Sequence, residues 1–319
     1  MMEIIAGGAG FIGAHLTNAL LSSSDAEVLV LDNLSKGRTR HLSWALSTGR
    51  CRFLDVDCAD LTTLRPLVKE ALGDCRPRAI WHLAANSDIP AGISDPLIDV
   101  RDTFMTTFNL LLLMKELAIP RFHFASSSAV YGDFSEKRIR EDAGPCLPIS
   151  NYGAMKLASE AQISAALESF GERASIFRFP NVVGAPATHG VIFDFVNRLR
   201  STPSTLTVLG NGSQQKPYLH VSDVVAAMQF IACHGREKIN LYNIGPNDDG
   251  VTVKFIAETV VEQISPGAQI IYGSGARGWV GDVPKFRYSV DRLAQLGWRP
   301  SRDSQAAIRL AVKEIGGSD

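Results

Sequence analysis

The sequence predicts an α/β protein: a doubly wound parallel sheet with a smaller, mixed C-terminal domain. Three observations lead there. Through residues 1–178, short apolar runs alternate with longer stretches of helical period, the pattern of repeated strand–helix–strand units. A cluster of glycines stands at the first strand-to-helix junction. From residue 179 onward the composition shifts toward Gly, Pro, Asn and Ser, and the periodic stretches shorten.

The elements follow in order. Glu3-Ile4-Ile5-Ala6 is an apolar strand that runs into Gly7-Gly8-Ala9-Gly10-Phe11-Ile12-Gly13, and His15 to Leu21 continues at helical period. The glycines fit G-x-G-x-x-G from Gly8 and the looser G-x-x-G-x-x-G from Gly7. Such spacing allows a tight turn, close backbone approach to a pyrophosphate, and close packing of helix on strand. The helix N-terminus then offers free N–H groups and a positive dipole end to the anion. A second buried strand, Val28 to Leu31, ends on Asp32, 19 residues after Gly13. A carboxylate there hydrogen-bonds an adenosine ribose diol and repels a 2′-phosphate, which favours NAD over NADP; Lys36 and Arg38 stand close by and leave NADP open.

Cys51 to Asp57 reads as the next strand, and Asp60 to Leu72 as a helix with Asp60 at its N-cap. Ala79 to Ala85 is a strand ending in small residues, which serve either a flat cofactor lying against backbone or simple close packing. A long helix rich in Thr, Phe and Leu is expected over Asp99 to Leu117. Arg121 to Ala125 is a further strand, leading into Ser126-Ser127-Ser128. Those serines make either a plain turn or a hydroxyl platform facing the cofactor crevice. A Pro-rich approach, Pro145 to Asn151, precedes a helix from Tyr152 to about Phe170, and Ser175 to Phe179 is a strand. Ile239 to Ile244 reads as a strand able to rejoin the main sheet.

Composition excludes several classes. Net charge is −1, with no basic run and no acidic tail, so charge gives no support to a nucleic-acid or membrane-surface role. Cys51, Cys58, Cys75, Cys146 and Cys233 form no CxxC and no metal spacing, and read as free thiols of a reducing compartment. No apolar run approaches the ~20 residues that span a bilayer, and no signal peptide is visible. A cytoplasmic protein is expected. His82 and His220 read as structural histidines, with no metal site.

Tyr152 and Lys156 lie one helical turn apart. A phenol ordinarily holds its proton to about pH 10. A neighbouring ammonium stabilises the phenolate and brings that value down, toward a base that takes a proton from a hydroxyl.

GGAGFIG (7–13), LDNLSKG (31–37), HLAA (82–85), SSSAVYG (126–132), YGAMK (152–156), RFPNVVG (178–184) and GNGSQQKPYLHVSD (210–223) occur in sequence. On these motifs the chain resembles the extended short-chain dehydrogenase/reductase family, in its NAD-dependent sugar-nucleotide epimerase/dehydratase branch. Within that branch it looks most like the UDP-glucose (UDP-galactose) 4-epimerases. The resemblance implies a Rossmann-like NAD-binding domain over 1–178 and a substrate domain over 179–319, with 239–244 returning to the main sheet. It implies Tyr152 as catalytic base, Lys156 as its partner and holder of the nicotinamide ribose, and Ser127 as the catalytic hydroxyl. Gly7, Gly10, Phe11, Ile12, Gly13 and Asp32 fall on cofactor positions. So do Asn33, Ser35, Gly37, Asp57, Cys58, Leu83, Ala84 and Ala85. Thr103, Ser126 and Pro180 complete the cofactor set. Ser87, Asn181, Val191, Thr207, Leu209, Lys216 and Arg277 fall on substrate positions. A homodimer through the helices near 99–117 and 152–170 is a further implication.

Departures from the family pattern narrow the reaction. Dehydratases of this branch carry Asp-Glu after the catalytic hydroxyl, and here those places are Ser128 and Ala129. Lys216 replaces a common Arg and loses its bidentate fork. Thr103 replaces a frequent Asn, Ser87-Asp88 differs from the usual sugar-pocket residues, and Arg277 is offset from its usual spacing. The expected reaction is 4-epimerisation of a UDP-hexose through a transient 4-keto sugar. Epimerisation or decarboxylation of another nucleotide sugar (UDP-glucuronate, UDP-N-acetylhexosamine) and a non-catalytic NAD-sensing protein are the alternatives.

Overall fold

The computed structural model describes residues 1–134, 138–275 and 286–317. The chain forms two compact units. The first comprises Met1–Gly132, Pro145–Arg178 and Met228–Tyr242; the second comprises Asp133–Gly144, Phe179–Ala227 and Asn243–Asp319. The sequence-based division at 178/179 differs for 133–144 and 228–238, while the strand at 239–243 joins the main sheet as that reading allowed. Residues 133–144 go with the second unit, because Arg138–Ile139 pairs with Arg287–Tyr288. Residues 228–242 go with the first, because their strand closes the main sheet.

The first unit is built on a seven-stranded sheet. Its strands are β1 (Met2–Ala6), β2 (Glu27–Asp32), β3 (Cys51–Asp55), β4 (Pro77–His82), β5 (Arg121–Ser127), β6 (Arg173–Phe179) and β7 (Ile239–Asn243). Their order is β7-β6-β5-β4-β1-β2-β3. β1 lies between β2 and β4, parallel to both, with Ile4 opposite Leu29 and Ile80. All five residues of β1 are buried, as expected of a central strand covered on both faces. Direction of winding reverses at β1 and β4, and ligands of open α/β sheets bind outside the strand ends at that point. Ile4, Leu29, Ile80, Leu110, Phe122 and Ile163 belong to one apolar core on this sheet.

Local chemistry sets the helices. Asp60 caps Leu61–Leu72 by accepting from Thr62 N, and Ser150 caps Asn151–Ser169 by accepting from Gly153 N. The helix expected over 99–117 is not uniform. It consists of Pro96–Asp99, a π-helical stretch Val100–Met105, and the α-helix Thr106–Glu116. The Thr106 hydroxyl donates to the Asp102 and Thr103 carbonyls, and that of Thr107 to the Thr103 carbonyl. Such back-bonding competes with the regular ladder and accompanies the wider turn.

The second unit holds small parallel pairs. Asn181–Val183 pairs with Tyr218–His220, and Thr205–Val208 with Gln269–Tyr272. Its helices Val191–Ser201, Val253–Ile264 and Ser304–Gly316 contribute Phe195, Val196, Ile256, Val260, Ile308 and Val312 to a separate core.

Candidate active site

The glycine turn follows β1. Gly7 has φ +79°, and a Cβ there would lie 2.6 Å from Ala84 N. Leu83 N and Ala84 N both donate to the Ala6 carbonyl, so the end of β4 lies directly on this turn. A Cβ on Gly13 would lie 2.1 Å from the Gly7 carbonyl oxygen, which explains the glycine in the first turn of the helix Phe11–Ser23. Gly10 is that helix's N-cap, and no side chain caps it. Phe11 and Ile12 form its half-buried first turn.

Asp32 ends β2 almost fully buried. Its Oδ2 accepts from Ala9 N and its Oδ1 from Leu34 N, both at 2.9 Å. Burial nevertheless pushes its carboxyl up. Gly37 packs on the same turn, where a Cβ would lie 2.9 Å from Asp32 Oδ1. Asn33 and Ser35 are exposed, the Asn33 side chain accepting from Ser35 N. Asp57 caps the next turn through Ala59 N and is paired by Arg101. Cys58 is buried, and its thiol is pushed far up by that burial. Ala85 is half-buried beside Ala84, and Ser87 is exposed. Thr103 is fully buried, its hydroxyl accepting from Asn86 N at 3.2 Å.

Two glycines bring the serines to the tyrosine. A Cβ on Gly153 would lie 2.4 Å from the Ala129 carbonyl oxygen, so the helix Asn151–Ser169 sits hard on the 128–130 turn. Gly132, at φ +79°, leaves no room for a Cβ against the Leu147 carbonyl. The Ser127 hydroxyl hydrogen-bonds the Tyr152 phenol. Ser126 is buried and donates instead to Glu160. The two serines are thus separated by function of position: one faces Tyr152, the other a buried acid.

Lys156 is 2 % exposed. Its Nζ donates to the Ala125 carbonyl at 2.7 Å and lies 4.7 Å from the Phe124 ring centroid and 5.7 Å from that of Tyr152. Burial lowers the ammonium to about 7, while Glu160 and Asp99 hold it up. The phenol departs from the sequence-based expectation. It is pushed up to about 12, because burial and the Asp99 charge outweigh the Ser127 hydrogen bond. The lysine's charge is spent on a carbonyl and an aromatic face rather than on the phenol.

Glu160 escaped the sequence reading, although it stands one turn beyond Lys156. Its carboxylate pairs Arg178 through Nε at 2.9 Å and Nη2 at 2.5 Å, and Arg178 lies over the Tyr131 ring. Asn86 and Asp99 were missed as well. The Asn86 amide donates to Asp99 Oδ1 at 2.9 Å, and no sequence signal marks the pair. His82 is structural as expected, with Nε2 on the Thr107 hydroxyl.

Pro180, Asn181, Val191, Thr207, Leu209 and Lys216 belong to the second unit. Pro180 is buried; Asn181 is exposed at the start of its short strand. Val191 opens the helix Val191–Ser201. Thr207 and Leu209 are exposed, Lys216 half-buried, and the Thr207 carbonyl accepts from Arg198. Arg277 lies outside the described residues. Among those described, no cluster suits a metal ion and no helix is long and apolar enough to cross a membrane.

Residues 4–245 match the NAD dependent epimerase/dehydratase family. The chain belongs to that family. This NAD-dependent epimerase/dehydratase is 30% identical over 320 residues to the UDP-glucose 4-epimerase of Azospirillum brasilense, covering 94% of this chain and 87% of that one. It is 29% identical over 337 residues to the dTDP-glucose 4,6-dehydratase of Haemophilus influenzae, covering 98% and 97%. Its fold superposes on Thermus thermophilus UDP-glucose 4-epimerase complexed with NAD at a TM-score of 0.86, with 29% identity and full coverage of both chains. The epimerase/dehydratase uses NAD, and its residues fit the cofactor: a turn where Gly7 and Gly13 admit no side chain, an uncapped helix start, and a carboxylate at the end of β2.

Proposed function

We propose that this enzyme interconverts the C4 epimers of a UDP-hexose, UDP-glucose and UDP-galactose, through a transient 4-keto sugar. The observation that carries the reading is the Ser127–Tyr152 hydrogen bond beside buried Lys156, followed by Ser128 and Ala129 where a dehydratase needs an acid pair. Bound NAD supplies reversible hydride transfer at C4. Tyr152 takes the 4-hydroxyl proton and gives it back. Ser127 shares that proton's hydrogen bond, and Lys156 holds the ribose of the cofactor. Gly7, Gly10, Gly13 and the helix N-terminus hold the pyrophosphate, with Asp32 on the adenosine ribose. Asn181, Val191, Thr207, Leu209 and Lys216 hold the nucleotide diphosphate of the substrate. Ser128 and Ala129 offer no acid to expel a C6 hydroxyl, so water is retained.

The test is incubation with UDP-glucose, without added NAD, followed by NMR. UDP-galactose should appear with no net NADH. Loss of water or CO2, or turnover confined to UDP-glucuronate or a UDP-N-acetylhexosamine in a parallel panel, would overturn the assignment. Tyr152→Phe should keep NAD bound and lose roughly 10²–10⁴-fold in turnover. We further propose a homodimer, checked by light scattering of the full chain.

A further inference from the structure

We propose that Glu160 is a positioning residue for the Ser127–Tyr152 pair: with Arg178 it grips both ends of the serine turn and so holds the Ser127 hydroxyl against the phenol. The proposal rests on the reading of that pair given above.

The helix Asn151–Ser169 meets the end of β5 and the turn after it at three successive points. A Cβ on Gly153 would lie 2.4 Å from the Ala129 carbonyl oxygen, Lys156 Nζ donates to the Ala125 carbonyl at 2.7 Å, and Glu160 accepts from the Ser126 hydroxyl. Residues 153, 156 and 160 are spaced by three and four, as on one face of a helix, and all three are buried. The first two contacts are to backbone carbonyls. The third is to the side chain of the residue immediately before Ser127. Ser127 ends β5 in extended backbone, φ −148° and ψ 154°, so its side chain points away from that of Ser126. Tying Ser126 to Glu160 therefore leaves Ser127 for Tyr152.

Arg178, from the adjoining strand β6, fixes the carboxylate. Glu160 Oε1 accepts from Arg178 Nε at 2.9 Å and Oε2 from Nη2 at 2.5 Å, a two-point pair that sets the plane of the acid. Ser126 uses the same Oε1. The Arg178 guanidinium carbon lies 4.7 Å from the Tyr131 ring centroid. Tyr131 directly follows the Ser128–Val130 turn, and its N–H donates to the Ser128 carbonyl at 3.2 Å. Ser126, Tyr131, Glu160 and Arg178 are all buried. The ion pair thus reaches the turn from the residue before it and the residue after it. Inside the turn, the Ser127 hydroxyl accepts from Ala129 N at 3.2 Å and also bonds the phenol, so a shift of the turn disturbs both. A hydrophobic pair of similar volume would serve stability as well as a buried ion pair. What charges of fixed geometry add here is a single arrangement of the turn.

Ser126→Ala tests this, because it cuts the link to the turn and leaves the Glu160–Arg178 pair whole, whereas removing either charge would strand the other. In the full chain loaded with NAD it should lower kcat for UDP-glucose by about tenfold to 10²-fold, the upper end being the scale of a ~1 Å misplacement, with KM little changed. In a Ser127→Ala background the same substitution should alter kcat by no more than about twofold, because a residue that acts through Ser127 then has nothing to place. Crystal structures should show the Ser127–Tyr152 bond made in the wild type and broken in Ser126→Ala. A thermal melt confirms folding, and Ser126→Cys serves if Ser126→Ala gives no cooperative transition. An unchanged kcat, losses that add independently, or a Ser127 hydroxyl still bonded to the phenol in the folded variant overturns the proposal. If the wild type turns over no UDP-sugar, the reading of function falls instead, and the two crystal structures alone decide the role of Glu160.

Discussion

Lys156 donates to the Ala125 carbonyl and sits over the Phe124 ring, and its burial has a measurable cost. An ordinary ammonium titrates at 10.5, and this one at about 7. Between those values the unfolded chain keeps a proton that the fold gives up, so stability rises with pH across the window and is lowest at its acid end. Replacing Lys156 by Met removes that dependence. The melting temperature of Lys156→Met relative to wild type is expected to be highest below pH 7 and to decline toward pH 10.5, as read by thermal shift across a pH series. A flat difference would contradict the burial of the ammonium. The buried cation lowers stability across that window.

At the scale of elements, the approach of the helix Asn151–Ser169 to the serine turn depends on Gly153. An added methyl would meet the Ala129 carbonyl at 2.4 Å, and a backbone oxygen cannot step aside cheaply. Gly153→Ala is expected to lower kcat by up to about 10²-fold, the scale of a ~1 Å misplacement, while NAD stays bound. Steady-state kinetics and cofactor release on denaturation check both parts. Such elements were legible because their signals are local. The glycine turn, Asp32 at a strand end, and Tyr152 one turn before Lys156 each depend on spacing within a few residues. Asp99 was not legible, because nothing in Val100 to Met105 announces a wider helical turn. The phenol was misjudged for a related reason. Spacing places the lysine near the tyrosine, but only packing decides where the ammonium points.

At the scale of the molecule, the first unit carries buried histidines in its sheet that resist taking up a proton. His123 lies among Trp81 and Phe177, and His82 beside Phe122 and Phe124. Burial lowers His123 from 6.5 to about 3, with Arg121, Arg78 and Arg173 adding to it. His82 is lowered in the same direction, with Lys156 contributing. Below 6.5 the unfolded chain takes up protons that the fold refuses, so stability present above 6.5 is lost as pH falls toward 3. His123→Phe, which suits the aromatic stack, is expected to flatten the acid limb of a melting-temperature profile. An unchanged slope would mean that His82 or the carboxylates set it. The two-unit division was legible only in outline, since strand pairings between distant segments leave no local mark.

β7 brings a consequence for how the protein is made. The Asn240 side chain reaches the Ala174 carbonyl across a sequence separation of 66 residues. On a ribosome, β6 emerges while its outer neighbour is still untranslated, and the segment Phe179–Ala227 is synthesised in between. During that interval β6 presents an open edge, the kind of surface on which strands of other chains add. Completion of this sheet must therefore wait for residues 239–243, made some 60 residues after β6.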